Sequence, residues 1–429
     1  MASIVLKEKE CLQQFNQKHC VVLHGSRVVI THQEYDPTIG RTRTVFLKPD
    51  DCKKLYANVF VDVARARVPL AAVDWWLEHR DRKQAKGVVF DPKGDTEDYF
   101  NLWKGFSITP KKKDCQRFLD FIREVICDGD EEQYHFFIGY FAHMIQLPWE
   151  LPETALILVG DQGTGKSFVI KQFARLIAEH ATTVSKRQHL VGSFNAHMAH
   201  TILLTADEVS IATRFATNAL KAPITEPYVL HEAKGHDAVA IRNCTRYVIL
   251  TNDPHVVLMG PNERRFAVYE VGNQKQQNHE FFAELSSYMD NGGLEGLMYH
   301  LQNFDLSSPF NIRKVPPSKG RARQIEQSFS DVEKYWYECL LAGELPLGEL
   351  WTQEVEKEHL TRDYRMFCDE VGQSKRSTET MLFRNLRQMC PDIRDYRPAN
   401  GKRRLVFPTL QDARKAFDAR TGIKWEWPD

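Results

Sequence analysis

Near the middle of the chain, Gly160-Asp161-Gln162-Gly163-Thr164-Gly165-Lys166-Ser167 has the types and spacing of a phosphate-binding loop, G-x-x-x-x-G-K-S/T. It follows an apolar run and opens an amphipathic stretch carrying Val169, Ile170, Phe173, Leu176 and Ile177, the strand–loop–helix setting this chemistry requires. Glycines let backbone N–H groups wrap phosphates, and the helix N-terminus adds its partial positive charge. Lys166 can then reach the β- and γ-phosphates, and Ser167 can ligate Mg²⁺. ATP and Mg²⁺ are the expected cofactors; a plain glycine-rich turn is the alternative. Downstream, the apolar run Thr201 to Ala206 ends in Asp207-Glu208. An ATPase needs one carboxylate to hold Mg²⁺ through its water shell, here Asp207, and a second to orient the attacking water, here Glu208. The run Tyr247 to Thr251 ends at Asn252, whose amide can contact the γ-phosphate or the lytic water; Asn before Asp253-Pro254 is also an ordinary loop start. Glu263-Arg264-Arg265-Phe266 places two arginines ahead of another apolar run. An arginine supplied to a neighbour's γ-phosphate stabilises transition-state charge, whereas most surface arginines are merely solvated.

The elements that must hold these residues follow from hydrophobic period. Ala155–Val159, Thr201–Ala206, Tyr247–Thr251 and Phe266–Val271 are apolar without alternation, which predicts strands covered on both faces in a mainly parallel sheet, an α/β core over 153–272. Ahead of it, short β-type runs such as Arg27–Thr31 and Arg43–Leu47 predict a β-rich domain over 1–110. Helical spacing from Cys115 to Gln146, broken at Asp128-Gly129-Asp130 and closed by Pro148 and Pro152, predicts a helical collar over 111–152. After the core, 273–330 reads as a helical segment, interrupted at Gly292-Gly293, and a Pro- and base-rich link from Arg313 to Arg323. The last domain, 331–429, is expected to contain helices over Leu360–Val371 and Thr378–Met389, then a hairpin turning at Pro398-Ala399-Asn400-Gly401.

With 57 Lys and Arg against 57 Asp and Glu, the chain has no global basic field, so any polyanion site must be a local patch. Its 429 residues, 42% hydrophobic and 27% charged, suit several ordinary globular cores and exclude a disordered or fibrous chain. Nine scattered cysteines without C-x-x-C read as reduced thiols rather than a zinc site. No apolar run reaches the length of a membrane span, and the start lacks signal-peptide order; the expectation is a cytoplasmic protein without membrane contact.

Gly160 to Ser167, the Asp207-Glu208 strand, Leu220-Lys221 with Ile224-Thr225, Lys234-Gly235-His236, the strand ending at Asn252, and Arg264-Arg265 together resemble the superfamily 3 helicases. More narrowly, they look like the ATPase domain of phage, plasmid and large-DNA-virus primase-helicases. Upstream, Trp75-Trp76-Leu77, Gly87-Val88-Val89-Phe90, Asn101 to Phe106 and Gln146-Leu147-Pro148 are similar to segments preceding the phosphate loop in that family. The resemblance covers roughly residues 20 to 330 and is weaker at both ends. It implies an AAA+ core, a hexameric homo-oligomer with nucleic acid through its centre, and Arg264 or Arg265 acting in trans. It also implies that Lys234 and His236, between two β-prone arms, reach into the channel; a surface hairpin with an incidental lysine is the alternative.

A primase site, common in this family, is not read here: the D-x-D ahead of the phosphate loop, Asp128-Gly129-Asp130, falls between helices, where acids serve as N-terminal residues. The last domain reads as a winged helix. From Leu360 to Arg404 it has eleven basic and six acidic residues, an excess of five. A recognition helix with Arg384 and Arg387 and a wing with Lys402 and Arg403 would suit DNA; a solvated basic face or a protein-binding winged helix is the alternative. The function expected is an ATP-dependent, ring-forming replicative DNA helicase of phage, plasmid or satellite type, working on single-stranded or forked DNA in a bacterial host. A separate primase or replication initiator is a further candidate partner. The alternative is a DNA-bound ATPase switch, an initiator or regulator without processive unwinding.

Overall fold

The computed structural model describes residues 3–37, 41–64, 66–191, 198, 200–209, 211, 213–231, 239–260, 263–372, 376–399 and 401–428. Its N-terminal part runs β1 (Ile4–Lys7), α1 (Glu8–Lys18), β2 (His19–His24), β3 (Arg27–Asp36), β4 (Arg41–Leu47), α2 (Pro49–Leu55), β5 (Val59–Asp62), β6 (Leu70–Ala71), α3 (Ala72–Glu78), β7 (Gln84–Ala85), β8 (Val88–Val89) and β9 (Phe100–Asn101). These form sheets in the orders β4-β3-β2-β7 and β1-β5-β6 and the pair β8-β9. The runs Arg27–Thr31 and Arg43–Leu47 lie in β3 and β4, and three helices that the sequence reading did not place lie among the strands. Helix α1 buries only Cys11 and Phe15, so its period is hidden among charged and amide residues. Trp76, on α3, is fully buried and donates its indole N–H to Asn16 Oδ1 at 2.8 Å.

The expected helical pair is α4 (Gln116–Phe121), which continues as a π-helical turn to Ile126, and α5 (Glu131–Gln146). Asp128 and Gly129 turn the chain at positive φ, 49° and 76°. Asp130 then caps α5, its carboxylate accepting from the Glu132 and Gln133 N–H groups.

The central part contains β10 (Ala155–Val159), α6 (Lys166–Leu176), β11 (Ala181–Val184), α7 (Arg187–Val191), β12 (Leu203–Asp207), α8 (Arg214–Thr225), the hairpin β13 (Tyr228–His231) and β14 (Val239–Arg242), β15 (Arg246–Thr251) and β16 (Phe266–Glu270). Five strands form one sheet in the order β11-β12-β15-β10-β16, every neighbouring pair parallel. Side chains alternate between its faces. Leu156, Leu158, Val248 and Leu250 pack with Phe137, Phe141 and Phe173 of the flanking helices. Ala155, Ile157, Tyr247 and Ile249 belong to the cluster on the opposite face. Four of the strands match the apolar runs in the sequence. The fifth, β11, is a Thr-bearing edge strand with one buried residue, Val184, and so has no apolar run to announce it.

Next come α9 (His279–Tyr288), α10 (Leu294–Gln302), α11 (Lys319–Gln327), α12 (Asp331–Ala342), β17 (Glu354–Glu356), α13 (Lys357–Glu370), α14 (Glu379–Met389), β18 (Arg394–Tyr396), β19 (Arg404–Val406) and α15 (Leu410–Thr421). Gly292, at φ 117°, bends the chain between α9 and α10. The link expected as far as Arg323 is shorter: residues 319–323 already belong to α11. That helix lies so close to β16 that a Cβ on Gly320 would come 3.0 Å from the Val268 carbonyl. Strands β17-β19-β18 form a small antiparallel sheet beside α13 and α14. The core of these C-terminal elements, including Trp336, Tyr364, Leu386 and Phe417, is continuous with the second face of the parallel sheet through Ile325 and Phe329.

Candidate active site

Three neighbouring strands of the parallel sheet deliver the central candidate residues to one place. The glycine-rich loop leaves the carboxyl end of β10, Asp207 ends β12, and Asn252 follows β15, which lies between them. Together with Ser167 and Glu208 they line a cleft of about 370 Å³. The loop is shaped by its glycines: Gly163 and Gly165 have φ of 81° and 100°, a region costly for residues with a Cβ. At Gly165 a Cβ would also lie 2.6 Å from Phe121 Cζ and 2.8 Å from Phe282 Cε1. Thr164 Oγ1 donates to the Asp161 carbonyl at 2.9 Å, bracing the turn from within.

Lys166 begins α6 and points back across the loop. Its Nζ donates to the carbonyls of Gly160 (2.5 Å) and Asp161 (2.8 Å) and to Asn252 Oδ1 (3.0 Å). Burial lowers its pKa, and the carboxylates of Asp161, Asp207 and Glu208 oppose that shift. Asn252 Nδ2 in turn donates to Glu208 Oε1 at 3.4 Å, so one amide spans the lysine and the acid. Glu208 has φ 56°, a left-handed conformation costing about 1–2 kcal/mol in a non-glycine residue, and its N–H donates to the Leu250 carbonyl at 2.9 Å. Such strain tends to persist where the surroundings fix a side chain for function.

Phe168, Gln277, His279 and Phe282 complete the cleft, and motif reasoning did not single them out. Gln277, at φ 54°, donates its N–H to the Gly163 carbonyl at 3.0 Å, and Gln276 Nε2 donates to the Gln162 carbonyl at 3.2 Å. The segment entering α9 therefore lies across the tip of the loop. Asn278 caps α9 by accepting from Phe281 N–H; an Asn just before a helical period marks this helix start in the sequence, but not its place beside the site.

Arg264 and Arg265 stand elsewhere. They precede β16, and the Arg265 carbonyl accepts from the N–H of Ala155, the first residue of β10, so both arginines lie at the amino ends of the strands, away from the loop at the carboxyl end of β10. Arg265 Nη1 pairs with Glu263 Oε1 at 3.0 Å, and Lys221 Nζ reaches Glu263 Oε2 at 2.8 Å. Arg264 is exposed. Lys234 and His236 lie outside the described residues, although the arms β13 and β14 pair antiparallel from Tyr228↔Arg242 to His231↔Val239.

In the C-terminal part, Arg387, Lys402 and Arg403 line a second cleft, of about 940 Å³, with Arg362 and Arg365. Arg387 is paired with Asp395 (2.5 Å) and Lys402 with Glu358 (2.8 Å), which leaves Arg362, Arg365 and Arg403 as its exposed cations without an ion pair among the described residues. Arg384 is exposed on α14 and does not line this cleft. All nine cysteines are free and buried. Among the described residues, no helix is long and apolar enough to cross a membrane.

Residues 158–265, from the end of β10 to Arg265, match the family of unknown function DUF5906. Among curated proteins, the DNA primase-polymerase of Nitratiruptor phage NrS-1 is 24% identical over 255 residues, 56% of this chain; the chain spans only 35% of that relative's length. Among solved structures, the apo form of the NrS-1 C-terminal region aligns with a TM-score of 0.64 at 18% identity, covering 93% of this chain and 99% of that one. Another apo form of the same region gives 0.65 at 16% identity, covering 92% and 98%. At these identities the likeness is one of fold, and it extends over nearly the whole chain.

Proposed function

We propose that the chain is an ATP-driven DNA motor of superfamily 3 type acting in phage-type replication, with an AAA+ core over 153–272 and a C-terminal winged helix. The observation that carries this reading is the meeting of the glycine-rich loop, Lys166, Asp207, Glu208 and Asn252 at the carboxyl ends of adjacent parallel strands, where open α/β sheets bind their ligands. The backbone N–H groups of 160–167 cradle the phosphates, and Lys166 exchanges its carbonyl and amide contacts for phosphate oxygens. Ser167 and Asp207 border the same cleft and are the residues that would hold Mg²⁺, whose charge would screen the triphosphate. Glu208 orients the attacking water, and Asn252 holds the Glu208 carboxylate while facing the γ-phosphate. Arg264, and less readily Arg265, serves a neighbouring subunit of a hexamer.

Likeness to the phage primase-polymerase supports work on replicating DNA. Synthesis is not part of the proposal, since Asp128 and Asp130 shape a turn and cap a helix. The switch reading is favoured by one feature, the basic C-terminal cleft, which offers a DNA contact independent of any channel. Unwinding of a preloaded fork separates the two. ATP-dependent strand separation that falls in Lys234→Ala/His236→Ala is expected of the motor. ATP hydrolysis and DNA binding without strand separation would favour the switch, and a wild-type chain that does not hydrolyse ATP would sink both.

A further inference from the structure

The loop leaving Asn252 is held by side chains. Val256 and Val257 N–H groups donate to Gln324 Oε1 (3.0 and 3.3 Å), and Gln324 Nε2 donates back to the Pro254 carbonyl. Met259 N–H donates to Ser328 Oγ (3.0 Å) and Leu258 N–H to Thr217 Oγ1 (3.3 Å). Gln324 is 1% exposed, and Val256, Val257 and Met259 are buried with it, so a bond lost here leaves a buried polar group unpaired. Gln324 belongs to α11 and Ser328 follows that helix directly. The same helix grips the region where this loop nears the arginines: Arg321 Nη2 donates to the Glu263 carbonyl at 3.1 Å. Ser330 then caps α12, the first helix of the part that carries the basic cleft. One helix and the residue after it thus hold the backbone at Pro254, Val256, Val257, Met259 and Glu263, and lead within a few residues into the C-terminal elements.

We propose that Gln324 is a positioning residue through which DNA held by the C-terminal elements sets the placement of Asn252, and through it of Glu208. The inference rests on the ATPase reading above. Because Gln324 and Ser328 hold the loop's N–H groups, α11 cannot shift against the sheet without moving 253–259. Asn252, at the head of that loop, touches both Lys166 Nζ (3.0 Å) and Glu208 Oε1 (3.4 Å), so a displacement at Gln324 reaches the group that orients water. An element bridging two sites in this way can couple them when both bias its position.

Steady-state ATP hydrolysis by the full chain, with and without forked DNA, tests this in Gln324→Ala and in the milder Ser328→Ala. Basal hydrolysis, KM for ATP and DNA affinity should stay near wild type, while stimulation by DNA falls by about 2- to 30-fold in Gln324→Ala and by less in Ser328→Ala. Full stimulation in a folded Gln324→Ala overturns the proposal, as does an equal loss of basal and stimulated rates. If Gln324→Ala does not fold, full stimulation in Ser328→Ala overturns it. A wild-type chain that hydrolyses ATP without responding to DNA removes the coupling alone, whereas one that hydrolyses no ATP removes the ATPase reading itself.

Discussion

Lys166, Asn252 and Glu208 form a short chain of contacts in which one amide group serves both a cation and an anion. On the ATPase reading proposed above, a triphosphate entering the loop would compete for the Lys166 donors and release Asn252 Oδ1, while Nδ2 would still face Glu208. The two ends of this chain should therefore fail differently. Lys166→Ala removes a phosphate contact, so ATP binding weakens and turnover is lost with it. Glu208→Gln keeps the cradle and removes the group that orients water, so ATP stays bound while kcat drops by about 10²- to 10⁴-fold, the range for losing a general base. Nucleotide binding and single-turnover hydrolysis of the two variants distinguish these failures. Wild-type hydrolysis by Glu208→Gln would remove the assignment of that acid.

Among the elements, α5 is held to the sheet by polar bonds in an apolar setting. Arg246, at the start of β15, is fully buried and donates to the carbonyls of Cys244 (3.0 Å), Leu147 and Glu150 (2.9 Å each) and to His143 Nδ1 (2.9 Å). A guanidinium has only donors, so Nδ1 must accept and the imidazole must be neutral. Burial, with Arg246 and then Arg313 adding to it, pulls the His143 pKa from 6.5 to about 3. Glu150 Oε2, 3.8 Å from Nε2, is half exposed and opposes this only weakly. The folded value lies below the unfolded one, so the unfolded chain binds more protons between them, and stability present above pH 6.5 is lost as pH falls toward 3. At about 1.4 kcal/mol per pH unit the loss from this residue is about 2 kcal/mol by pH 5. Thermal melts from pH 7 to 5 should show the fall. His143→Gln, which keeps an acceptor and cannot titrate there, should flatten it; an unchanged slope would remove His143 as its source.

For the whole molecule, the decisive placement is that of the arginines at the amino ends of the strands, opposite the end that carries the loop. Within one chain they cannot act on the cleft, so a role in hydrolysis needs a second copy. Glu263, almost fully buried, already engages Arg265, which makes the exposed Arg264 the better candidate. Doping Arg264→Ala into wild type should then lower ATP hydrolysis faster than dilution does, because each variant subunit disables its neighbour's site while binding nucleotide normally. A strictly linear decline with variant fraction would exclude a shared site.

What the sequence determined by itself was local. The glycine-rich loop, the acids and amide at strand ends, the buried parallel strands, the α4–α5 pair and the α13–α14–hairpin order are written in residue types a few positions apart, because period and turn chemistry report how each segment meets its own neighbours. Helix α1 and strand β11 were hidden because they bury too few residues to show a period. The tertiary structure alone decided which distant segments meet. It laid Gln277 across the loop and gave Glu208 its left-handed backbone. It fused the C-terminal core to one face of the sheet through Ile325 and Phe329, and it seated Gln324 against the loop beyond Asn252. None of these has a local signature, since a buried glutamine or an exposed one reads the same until packing assigns its partners.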